Sequence, residues 1–121
     1  MAAIKSYTDL EQSKRLAEIL PIESADMCFN TFNTRKSMPP LMTPYSRFNE
    51  FFDMEPTPAF LIPCWSLSAL LSVLQEVDDN IEFWSDHEDW HLDAANYDVY
   101  SSSLVDACYE MIVKLKENNL L

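Results

Sequence analysis

Apolar residues recur at helical spacing in three places along the chain. Leu10, Leu16, Ala17, Ile19 and Leu20 form one stripe that ends at Pro21. Just ahead of it, Thr8-Asp9-Leu10-Glu11 has the form of a capping box, with the Thr8 hydroxyl accepting from the Glu11 amide. Leu67, Leu70, Leu71 and Leu74 follow the i, i+3, i+4, i+7 rule, with Ser66 placed to cap them. Leu104, Cys108, Met111, Ile112 and Leu115 make the third stripe, opened by a Ser103 to Asp106 box. Lys114 and Lys116 fall at its C-terminal end, where the helix dipole favours cations.

Elsewhere the period shortens to two. Residues 25–32 alternate loosely and are rich in strand formers. The apolar run at residues 58–66 reads as a brief strand that Pro63 stops. Between Asp89 and Ala94 the alternation is complete: Asp89, His91 and Asp93 one way, Trp90, Leu92 and Ala94 the other. Ile81 and Phe83 point inward by the same rule, residues 97–101 add a third strand, and residues 86–89 become the loop between the first two. A helical pattern competes here, because Trp84, His87, His91, Ala94 and Ala95 would share one face and Asp79 with Glu82 could cap it. The alternation is the stronger signal.

Residues 35–58 are broken by Pro39, Pro40, Pro44, Pro56 and Pro58. A short helix is expected inside them, capped by Thr43 with Pro44 at its first position, gathering Phe48, Phe51 and Phe52 on a core-facing side. The expected fold is α+β, an antiparallel sheet of three to five strands with helices packed on one face, over residues 1–121 as a single domain. Its core should hold Leu16, Leu20, Leu67, Leu70, Leu71, Leu74, Phe83, Cys108, Met111, Ile112 and Leu115.

Composition narrows what such a fold can do. The chain has no glycine. Phosphate-cradling loops, dinucleotide fingerprints, EF-hand loops and nucleophile elbows all need glycine's positive φ or close backbone approach, so they are excluded. Twenty acids face eight bases, for a net charge of −12. No lysine or arginine occurs between Arg47 and Lys114, a span with 14 acids. Direct binding to nucleic acid or an anionic membrane demands cations and is disfavoured, whereas a basic protein partner fits. No apolar run reaches the roughly 20 residues of a membrane span, and the first residues lack a secretory apolar core. Cys28, Cys64 and Cys108 form no C-x-x-C pair. Reduced, buried thiols in a cytoplasmic protein are expected.

One string proposes a chemistry. His87-Glu88-Asp89-Trp90-His91 matches H-E-x-x-H, in which two histidines hold zinc and the glutamate is general base. That function requires a helix, which brings residues four apart onto one face. These are the chain's two histidines, and no distinctive third ligand follows them. In the hairpin reading His87 sits in the turn and His91 on the outward face, so their rings do not converge. Cys64, just before the Ser66 cap, stands near a positive dipole end, but Ile62, Pro63 and Trp65 around it point to burial as a small hydrophobe. Trp65, Trp84 and Trp90 could line a small-ligand pocket or simply pack in the core.

No coherent catalytic set and no cofactor site emerges. The expected function is a non-enzymatic accessory or interaction protein that uses an acidic face made by Glu76, Asp78, Asp79, Glu82, Asp86, Glu88, Asp89 and Asp93. A zinc-dependent hydrolase through the H-E-x-x-H string is one alternative. DNA mimicry is another: alternate residues on a strand are about 6.6 Å apart, near the spacing of phosphates, so carboxylates could enter a basic DNA-binding groove.

The segments 16–27, 62–74 and 105–117 together resemble a family of small proteins from gut anaerobic bacteria, their prophages and mobile elements, a family to which no activity is assigned. The resemblance carries over no catalytic residue. It implies a compact α+β fold in which a helix, a hairpin and a final helix follow in order, similar to the α-β-β-α sandwich domains of small phage proteins, and an origin in a prophage or mobile element.

Overall fold

The computed structural model describes residues 5–30, 40–51 and 61–121. The fold is α+β, as the pattern predicts. Among the described residues its five strands are all antiparallel and divide into a two-stranded and a three-stranded sheet.

Helix α1, Leu10–Ile19, starts one residue later than the predicted capping box. Asp9 is the cap: its carboxylate accepts from the Gln12 amide at 2.8 Å, and Gln12 Oε1 accepts from the Asp9 amide at 3.1 Å. Thr8 is unavailable because tertiary structure claims it. It is fully buried, its hydroxyl accepts from the Trp65 amide at 3.2 Å, and it lies 2.8 Å from the buried Ser13 hydroxyl. Backbone bonds from Thr8 N to Trp65 O and from Leu67 N to Ser6 O, 3.0 Å each, lay this segment beside the start of the next long helix.

Strand β1 (Met27–Asn30) pairs with β2 (Leu61–Cys64). The last two residues of the expected 25–32 strand, and residues 58–60 of the second, lie outside the described residues. Pro63 does not stop β2; it sits inside it, opposite Cys28. Cys28 gives both of its ladder groups to Leu41 on the other side, at 3.1 and 2.8 Å, so β1 asks nothing of the amide that Pro63 lacks. Beyond Leu41 the expected short helix forms as a 3-10 turn, Tyr45–Arg47, running into α2, Phe48–Phe51. Pro44, not Thr43, stands at its cap position, with no side-chain capping bond. Phe48 is buried; the side chains of Phe51 and Phe52 lie outside the described residues.

Helix α3, Leu67–Val77, takes the predicted Ser66 cap, whose hydroxyl accepts from the Ala69 amide at 3.2 Å. Asp26 holds that cap in place, accepting from the Ser66 amide at 2.9 Å and from its hydroxyl. Helix α4, Leu104–Glu117, takes the predicted Ser103 cap at 3.1 Å. The carboxylate of Asp106 reaches further than the local box: it accepts from Lys5 Nζ at 2.8 Å and Gln12 Nε2 at 2.7 Å, which ties the starts of α1 and α4 together.

The three-stranded sheet is β3 (Glu82–Ser85), β4 (Trp90–Ala94) and β5 (Tyr97–Ser101), with β4 in the middle. Helix α4 packs on β4 and β5, and α3 packs on α4. Leu92, Ala94, Val105, Cys108, Met111, Ile112 and Leu115 fill the layer between sheet and helix, with Leu16, Trp65, Leu70 and Leu74 continuing it. Leu67 and Leu71 are partly buried at its edge. Phe83 is the exception to the predicted core: it keeps 44% of its surface exposed. Its side of the sheet does face the helices, but β3 is the outer strand and α4 covers the other two. Alternation gives the side correctly; the lateral extent of the helix decides burial.

Candidate interaction surface

The H-E-x-x-H string crosses a hairpin. His87 and Glu88 form the turn between β3 and β4, and His91 is the second residue of β4. His87 turns the backbone left-handed, φ 81°. Asp86 organises this turn, its Oδ1 accepting from the amides of Glu88 (3.1 Å) and Asp89 (2.8 Å), with the Asp86 amide donating to Asp89 O at 3.1 Å. Its other oxygen lies 2.6 Å from His91 Nε2. The Asp89 amide first, and then the His91 ring, draw the Asp86 carboxyl down to about 2. His87 and His91 therefore do not share the helical face that the zinc motif requires. Among the described residues no three His, Cys, Asp or Glu side chains are grouped to hold a metal ion.

The outward face of the sheet carries two rows that run across its strands. Register pairs Trp84 with His91 and His91 with Tyr100. The Trp84 and His91 rings are stacked, with centroids 5.2 Å apart and planes within 5°; His91 and Tyr100 follow at 5.8 Å and 32°. Trp84 is 45% exposed and Tyr100 66%. One step along the strands, register pairs Glu82 with Asp93 and Asp93 with Asp98. Three carboxylates thus lie side by side, and Asp93 in the middle has its pKa raised, chiefly by its hydrogen bond with Asp98, then by burial and the charges of Asp98 and Glu82. An added positive charge would relieve that crowding.

The other acids expected on this face disperse. Asp78 caps the end of α3 and accepts from the amides of Asn80 (2.8 Å) and Ala95 (2.9 Å), so it locks the β4–β5 turn to the helix. Asp79 is exposed in the turn before β3, Glu88 is exposed in the hairpin turn, and Asp89 beside it is half-buried. Glu76 belongs to a different place, a shallow cavity of about 390 Å³ lined also by Glu23, Asp26, Ser68 and Ser72. Glu82, Asp86 and Asp93 remain on or beside the face. Along β4 His91 separates Asp89 from Asp93, so aromatic and acidic rows alternate where a phosphate-like ladder would need continuous charge.

The sequence pattern does not single out Tyr100 and Asp98 for this surface, nor does it pair Trp84 with His91. The signal for both is cross-strand register. It requires knowing that each hairpin turns on two residues, and Asn96, a residue tolerant of left-handed backbone, marks the second turn. The three tryptophans do not form one pocket: Trp65 is fully buried, its indole N–H donating to Ser24 Oγ at 2.9 Å, while Trp84 faces outward. Cys64 is fully buried, its Sγ 3.4 Å from Thr8 O, and burial raises its pKa despite the neighbouring hydroxyls. No helix among the described residues is long and apolar enough to cross a membrane. No protein-family model, curated protein or solved structure matches this chain.

Proposed function

We propose that this chain is a non-enzymatic interaction protein that binds a basic segment of a partner protein on the outward face of β3-β4-β5. We place it in the cytoplasm, as an accessory protein of a prophage or mobile element. The observation that supports the reading is the pair of adjacent rows, carboxylates Glu82, Asp93 and Asp98 beside rings Trp84, His91 and Tyr100. A guanidinium or ammonium group gains from both, by charge-assisted hydrogen bonding to the acids and by cation–π contact with the rings. The chain offers no cation of its own between Arg47 and Lys114 to satisfy them.

The test is a titration with a short arginine-rich peptide, read by isothermal titration calorimetry. Binding should weaken about tenfold between low and physiological salt and again with Asp93→Asn combined with Trp84→Ala. Binding that ignores both salt and these changes, or no binding, would reject the proposal. Competition by duplex DNA for a basic DNA-binding partner would favour mimicry instead, although the alternating rows support a peptide.

A further inference from the structure

The edge of this sheet says how a basic segment would lie on it. β3 is an outer strand, and among the described residues no strand lies on its far side. Register continues from the backbone bond between Asp86 and Asp89, so bonded pairs fall at Trp84–His91 and Glu82–Asp93. The N–H and C=O groups of Phe83 and Ser85 then point away from β4, along the open edge.

Open edges are normally blunted by lysine, proline, a bulge or a covering element. Glu82–Ser85 carries none of the first two, pairs with β4 without a bulge, and is exposed at every residue. Its two large side chains, Phe83 at 44% and Trp84 at 45% exposure, stand on opposite faces of the sheet. An apolar ring on the helix side and an aromatic-acidic strip on the outer side thus flank one free line of backbone groups.

We propose that β3 receives an extended partner segment as a fourth strand, in which basic and apolar residues alternate. The basic side chains would lie on the outer side with Trp84, Glu82 and Asp86; the apolar ones would cover Phe83. Charge decides the occupant: a second copy of this chain would bring its own Glu82 and Asp86 beside these, with no cation on either edge, and like charges across a strand pair oppose pairing. The proposal rests on the reading of the outer face given above and adds an extended conformation and a sequence pattern to it.

The probe is a blocked peptide of about eight residues, arginine alternating with valine, with two derivatives N-methylated either at every arginine or at every valine. A strand presents alternate amides to its neighbour, so addition to β3 predicts that one derivative binds about tenfold more weakly while the other stays within about threefold of the parent. Amide exchange at Phe83 and Ser85 should slow in the complex. Ser85→Pro, which removes a donor on the open side only, should keep the circular dichroism spectrum and lose binding. Salt-sensitive binding in which both derivatives match the parent would overturn strand addition and leave the outer-face reading standing. If no peptide binds, both fail.

Discussion

His87 and Ala95 turn the backbone left-handed, with φ of 81° and 50°, in a chain that has no glycine for the task. Asn96 and Asn119 do the same at 70° and 60°, and asparagine tolerates the conformation. For Ala95 the Cβ clash costs about 1–2 kcal/mol, more than the roughly 0.5–1 kcal/mol that glycine loses in chain entropy. Ala95→Gly should therefore stabilise the protein by about 0.5–1 kcal/mol, seen as a higher urea midpoint at unchanged m-value, since Asp78 still receives the residue-95 amide. The other hairpin gives a pH test. Asp86 is held at about 2, below the ordinary value near 3.8, so its contribution is fully present above pH 4 and is lost as pH falls through 2. A carboxyl NMR titration should find Asp86 protonating last among the hairpin acids, and Asp86→Asn should remove that part of the acid sensitivity.

At the scale of elements, one side chain of the N-terminal segment joins α1 to the β2–α3 junction. Thr8 accepts from the Trp65 amide, lies against Ser13 and is fully buried. Thr8→Val keeps the shape but strands the buried Trp65 amide and leaves the Ser13 hydroxyl with the Thr8 carbonyl alone, at a cost of about 2 kcal/mol. Ser103→Ala, which deletes the α4 cap, should cost about 1 kcal/mol. Chemical denaturation separates the two, and Thr8→Ser, which keeps the hydroxyl, should recover most of the first loss. The same residues show where sequence was legible. The Ser66 and Ser103 caps and the stripes behind them were readable because a cap and its helix are neighbours in the chain. The strand period over 81–101 was readable for the same reason. Thr8 reads as a cap in the sequence, but its hydroxyl serves an amide 57 residues away. Phe83 reads as core in the sequence yet stays exposed, because alternation fixes a side of the sheet and says nothing about how far α4 reaches across it. The aromatic row stayed hidden because it exists only once two registers are known.

At the scale of the whole molecule, the charge of −12 opposes compaction, and its densest point on the sheet is the Glu82–Asp93–Asp98 row. The raised pKa of Asp93 marks that crowding: a carboxyl pushed above its unfolded value destabilises the fold above that pKa, and the penalty fades as pH falls through it. Neutralising the row with Glu82→Gln, Asp93→Asn and Asp98→Asn should raise the melting midpoint by roughly 3–6 °C at low salt for about 1 kcal/mol relieved. The gain should shrink as sodium chloride screens the same repulsion in the parent. A matched control removes three acids elsewhere, Glu11 and Glu18 on α1 and Glu117 on α4, all exposed. Both variants reach the same net charge, so a purely solubilising role predicts that they behave alike. A binding row predicts a split. The sheet variant should gain stability and lose about tenfold or more in affinity for the arginine-valine peptide, while the helix variant changes little in either. Calorimetry and peptide titration on the same two proteins decide it, because stability and affinity must move in opposite directions at one row and at no other.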